Sequence, residues 1–171
     1  MKIPGLITAV GFFVVAVGTG CACAQSMPAT AGETLSGQHV KPSDLVKGHT
    51  AVLIAGFSHE AGMHSGAWRK AVTSDPAMQG VLVLELAMLE KAPGLIRGMI
   101  KSGMRKDVSP PGQDRIVVMT QDQTRWEKFF GVSDDKVPYV ILLNERGDVV
   151  WSGHGQAAEL EPELRKALAK R

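Results

Sequence analysis

Two imidazoles, a carboxylate and a thioether fall close together in the stretch FSHEAGMHSGAW, residues 57–68: His59, Glu60, Met63 and His64. Imidazole with thioether is a donor set that suits copper, above all Cu(I). His59, Met63 and His64 are therefore metal-ligand candidates. His154 could join them only if its own segment folded over the stretch. A carboxylate beside imidazole can also do general acid–base work. However, the neighbouring hydroxyls of Ser58 and Ser65 have no third partner in a recognisable nucleophilic arrangement. The plain alternative is a polar surface loop, because His-x4-His with one methionine has little specificity.

The stretch holds no cysteine. The chain has two, Cys21 and Cys23, both near its start. Residues 1–24 read as a targeting segment: Lys2 gives a positive start, residues 3–20 are apolar or small and uncharged, and Ala22-Cys23-Ala24 gives the A-x-A pattern of a signal-peptide cleavage site. Cleavage after Ala24 is expected, with a periplasmic or otherwise extracytoplasmic destination. Two alternatives are lipidation of Cys21, against which Gly18 occupies the position where a lipobox carries Leu, and retention of residues 3–20 as an anchor just long enough to span a bilayer. The processed chain, residues 25–171, then carries no thiol, which excludes disulfide bonds and thiol–disulfide exchange.

Charge is nearly balanced, with 19 basic and 17 acidic side chains. That is not the footprint of a nucleic-acid binder, so no nucleic acid is expected as partner. The processed length suits one domain. Residues 25–34, QSMPATAGET, are small and polar and read as a flexible leader. Residues 35–49 carry turn residues at short intervals and read as a loop or short hairpin.

The elements that must position the candidate residues follow. TAVLIAGF is a strong strand. Ser65 is placed to cap a short helix, GAWRKAVT, ending near Asp75-Pro76. GVLVLELAML is a second apolar strand, interrupted by Glu85. Residues 92–106 form an amphipathic helix with Leu95, Ile96, Met99 and Ile100 on one face and Arg97, Lys101 and Arg105 recurring every four residues on another. RIVVMT is a strand, and DQTRWEKFFGV a helix stopped by Gly131. YVILLN, ERGD and VVWSG make a β-hairpin. A terminal helix starts near Ala157, and Pro162 suits it only within the first turn. Alternating strands and helices closed by a hairpin give an α/β sandwich: a central mixed sheet with helices on both faces.

Val137-Pro138-Tyr139-Val140, a proline directly before a strand and after a short helix, resembles the thioredoxin fold. The resemblance covers about residues 35–170. It implies a three-layer sandwich in which Pro138 is cis and faces the loop after the first strong strand. A remnant binding groove would then comprise Ser58, His59, Glu60, Met63, His64, Val137 and Pro138. Trp151-Ser152-Gly153-His154-Gly155-Gln156-Ala157 resembles the W-A-G-x-G-x-A of the mitochondrial ATP synthase assembly factors, a cysteine-poor family of this fold. Ser152 departs from that pattern. Cysteine-lacking periplasmic thioredoxin-like proteins of bacteria are the second likeness. The second group is of unknown role; the expected function is a non-redox binding or assembly factor with a protein client, as the assembly-factor likeness implies, and with no cofactor, copper delivery through His59, Met63 and His64 being the alternative. The helix at 92–106, with Arg97, Met99, Lys101, Met104 and Arg105, is the candidate interaction surface for a client or a membrane surface. Trp151, Gly153 and Gly155 have a bland reading as strand-end packing.

Overall fold

The computed structural model describes residues 26–170, so the targeting segment, its cleavage site and both cysteines lie outside the described residues. Strand β3, Ala51–Gly56, is the centre of the molecule, and all six of its residues are buried. It has a neighbour on each side, β4 (Leu82–Met88) in parallel and β6 (Tyr139–Leu143) antiparallel. A strand covered on both faces needs an apolar side chain at every position, hence the unbroken run AVLIAG. The full sheet has seven strands in the order β2-β1-β5-β4-β3-β6-β7. The remaining strands are β1 (Gly32–Thr34), β2 (His39–Val40), β5 (Ile116–Met119) and β7 (Val149–His154). The sheet is mixed, as expected, and ends in the β6–β7 hairpin.

The pleat sorts side chains between two layers. Leu53, Ala55, Leu84, Leu86, Val117, Tyr139 and Ile141 face helix α5 (Gln123–Phe130), which contributes Trp126 and Phe130, and the short α1 (Pro42–Leu45). Val52, Ile54, Val140 and Leu142 face the other way, toward Trp68 and Val72 of α2 (His59–Ser74) and Leu164 and Leu168 of α6 (Ala157–Leu168). On that same side Ile116 and Val118 meet Met104 of α3 (Gly94–Asp107). A single turn, α4 (Pro110–Gln113), leads from α3 into β5.

Four expectations are corrected. The leader is shorter than residues 25–34: Gly32–Thr34 pair with β2 through Glu33↔His39 and with β5 through Glu33↔Val118. Gly32 is needed there, because a Cβ would collide with the Met119 sulfur and lie 2.9 Å from the Val118 carbonyl oxygen. Ser65 caps nothing: α2 starts at His59, with Ser58 as its cap. Pro162 lies beyond the first turn of α6. It is tolerated because it is solvent-exposed, so the carbonyl that loses its partner can be hydrated. Finally, no peptide bond among the described residues is cis. The bond before Pro138 takes the trans form, which X-Pro sequences favour by about 0.5–1 kcal/mol.

Candidate functional site

Stretch 58–65 is the first two turns of α2, not a loop. Ser58 is extended, and its hydroxyl oxygen accepts from the Ala61 amide at 3.2 Å. Its hydroxyl also donates to the Asp135 carbonyl at 2.6 Å. One side chain thus satisfies an orphan helix amide and ties the helix start to the segment before β6. Glu60 lies in the first turn, where the helix dipole favours negative charge. Ala61 and Ser65 are buried, while His59, Glu60, Met63 and His64 face solvent.

The helix divides the copper donor set. His59 and Met63 are one turn apart, but at about 100° per residue His64 lies roughly 140° round from His59. His154 is on the opposite face of the sheet. It pairs in register with Tyr139, whose ring it stacks at 5.1 Å, and Tyr139 belongs to the α5 layer. Among the described residues, no group of three or more His, Cys, Asp or Glu side chains is arranged to hold a metal ion.

Pro138 is set by sheet register. Ala55 pairs with Tyr139, so Pro138 stands opposite Gly56, at the point where β3 gives way to α2. It is buried, and Val137 is half-buried against the α5-side core. The segment leading to it is held from below, since the Tyr139 hydroxyl accepts the amides of Ser133 and Asp134 at 2.9 and 3.0 Å. From the other side, the Gly155 amide donates to the Pro138 carbonyl at 3.0 Å, and the Gly155 carbonyl accepts from the Trp68 indole at 2.8 Å. The end of β7 therefore binds both α2 and the proline segment. Gly155 has φ +127°, a conformation that favours glycine. At Gly153 a Cβ would come within 2.8 Å of the Trp151 ring and 3.4 Å of Leu160. The tryptophan–glycine motif is thereby explained by packing of β7 against α6.

Between these supports lies a shallow rim: Ser58, His59 and Glu60 on one side, Val137 and Pro138 on the other. Val137 lies outside every strand, and neither its amide nor its carbonyl makes a backbone hydrogen bond among the described residues. Two concavities lie elsewhere. One of about 440 Å³ sits between β7 and α6 and is lined by Val150, Trp151 and Lys166. Another of about 690 Å³ sits at the opposite end of the sheet, around Thr50, Gln79 and Asn144.

Sequence reasoning passed over one buried charge pair. Glu85 is 4% exposed and is joined to Arg69 of α2. Burial pushes its carboxyl above the ordinary range, and the Arg69 guanidinium opposes this in part. The signal was a lone carboxylate inside an otherwise apolar strand, which demands a buried partner.

Helix α3 is oriented contrary to its apolar pattern. None of its residues is fully buried. Its basic stripe holds it to the domain: Arg97 donates to the carbonyls of Ala92 and Glu90, both at 2.6 Å, Lys101 to the Glu33 carboxylate at 2.7 Å, and Arg105 to the Leu35 carbonyl at 2.5 Å. Met104 is half-buried, whereas Leu95 is 81% exposed and Met99 65%.

No protein family's sequence profile matches the chain, and no curated protein matches it. Solved structures do. The thioredoxin domain of a thiol-disulfide oxidoreductase from Bacteroides vulgatus superposes with a TM-score of 0.58 at 16% identity, covering 82% of this chain and 94% of that one. The exposed lipoprotein thioredoxin Etrx1 of Streptococcus pneumoniae gives 0.53 at 15% identity, covering 80% and 97%. BsSco, a member of the Sco family of cytochrome c oxidase assembly proteins, gives 0.53 at 12% identity, covering 85% and 95%. These relatives share architecture at identities too low to carry function. The chain has the thioredoxin-like fold, and no cysteine stands anywhere among its described residues.

Proposed function

We propose that this protein is a non-redox, envelope-located binding factor that holds an extended segment of a client protein across the rim between α2 and Pro138. The observation that carries this reading is Val137, whose free amide and carbonyl stand beside the exposed start of α2. An extended peptide adds to such groups by strand-like hydrogen bonding, with side-chain contacts supplying selectivity. With no thiol in the described fold, capture is noncovalent. The assembly-factor assignment, with a membrane-protein client, rests on the likeness of Trp151–Ala157 to the mitochondrial ATP synthase assembly factors.

A photo-crosslinking residue at His59, presented with a library of unstructured peptides, tests the reading. Capture is expected, and Val137→Pro, which removes the amide donor, is expected to abolish it. Capture no greater than from the same crosslinker at Lys70, farther along α2, would refute it. A copper titration with His59→Ala/His64→Ala alongside separates the metal alternative. Stoichiometric binding lost in that variant would favour copper delivery.

A further inference from the structure

We infer that the outward face of α3 is a docking surface for an anionic lipid bilayer. The inference is independent of the peptide rim. An amphipathic helix on a soluble domain ordinarily buries its apolar stripe and leaves its cations in water. Here the sorting is mixed: Ile100 and Met104 are half-buried, Arg97, Lys101 and Arg105 bond back to the protein although Arg105 stays exposed, and Leu95, Met99 and Ile96, the last 41% exposed, face out. At 100° per residue, Leu95, Met99 and Lys106 share the outward side, so apolar groups occupy the first two turns and a cation the last.

Charge favours lipid over an apolar protein surface. Residues 90–107 carry five cations and two carboxylates, Glu90 and Asp107, and the exposed cations on the helix itself are Arg105 and Lys106. Lys91 pairs with Glu127 and Lys101 with Glu33. Arg97 and Arg105 bond to neutral carbonyls, and among the described residues Arg97, Arg105 and Lys106 have no carboxylate partner. Lipid headgroups complement such a surplus beside exposed leucine, isoleucine and methionine.

The course of the N-terminal chain agrees. β1 is antiparallel to β5, so residues 26–31 run past the end of β5 at Met119, and Thr30 reaches Asp122 there. The first turns of α3 follow the parallel end of β4 at the same edge. Residues 26–31 therefore enter the fold at the end of the sheet where Leu95 and Met99 are exposed.

The test uses the full chain with Cys21→Ser and Cys23→Ser, reconstituted with vesicles, and an environment-sensitive fluorophore on Met99→Cys. The same label at Lys70 is the control. In phosphatidylglycerol/phosphatidylcholine vesicles the Met99 label should shift to the blue and be quenched by brominated acyl chains. In phosphatidylcholine alone it should stay wet. Lys106→Glu should lower the docked-to-undocked ratio about fivefold or more, the effect of one surface cation. A label that stays wet in both vesicles, equal burial in both, or burial only when a membrane protein is added would each overturn the assignment.

Discussion

Replacing Arg69 by methionine tests the electrostatics of the core. Glu85 projects from β4, flanked in register by Ile54 and Ile116, and is 4% exposed. Arg69 is its ion-pair partner, with a quarter of its own side chain exposed. Removing the guanidinium leaves a buried carboxylate that is either unpaired or protonated. Breaking such a pair costs about 3–5 kcal/mol. The sign of the pH dependence follows from the raised carboxyl. Folded Glu85 keeps its proton where the unfolded chain has already released it, so stability falls as pH rises from about 4.5, its ordinary value, through the raised folded value. Arg69 opposes the raise, so Arg69→Met moves the folded value further up and carries the fall to higher pH. Urea unfolding followed by the fluorescence of buried Trp68 and Trp126 measures this at pH 4.5 and 7.5. The variant should lose about 3 kcal/mol or more at the higher pH and much less at the lower. Adding Glu85→Gln should remove the pH dependence. An equal loss at both pH values would mean that Arg69 acts through the packing of its stem, and the electrostatic reasoning would fail.

Other substitutions probe the remaining layers. Gly32→Ala should destabilise by about 1–3 kcal/mol, read as a lowered melting temperature, because its methyl would meet Met119, Val117 and the Val118 carbonyl within 2.9 Å; a neutral result would mean that β1 is not held to β5. Trp68→Phe should cost about 1 kcal/mol more than Trp126→Phe in parallel denaturant titrations. Both side chains are buried, but only Trp68 has a hydrogen bond to lose, since the Trp126 indole has no partner among the described residues. Gly98→Ala should stabilise α3 by about 1 kcal/mol, seen as slower amide exchange across residues 94–107, because an added Cβ there meets nothing within 4 Å.

The strongest elements were legible because their physics is local. A strand such as β3, buried on both faces, must be apolar throughout, and the hairpin turn with Gly147 at φ +84° is read from ERGD. β1 was illegible because Gly-Glu-Thr has no pattern of its own and is ordered by the distant β5. The start of α2 was misread because Ser58 and Ser65 are equally suitable caps in isolation, and only the Asp135 carbonyl brought by the fold distinguishes them. For α3, periodicity gave the two stripes but not which one turns inward. That is decided by acceptors on β1 and just after it, Glu33 and the Leu35 carbonyl. At the site, register with β3 fixed Pro138, a relation the sequence alone could supply only by likeness.

The strand order also has a kinetic consequence. The central strand completes its antiparallel partnership only when Ala51 meets Leu143, and the first strand only when Glu33 meets Val118. Pairings so distant in sequence must close large loops before any contact repays the lost chain entropy, which slows folding. A nascent chain cannot assemble this sheet until the β6 segment has left the ribosome. Until then β3 and β4 are two exposed apolar strands, prone to mispairing and aggregation. The topology thus delays native folding until the β6 segment has emerged and makes a holdase useful during that interval.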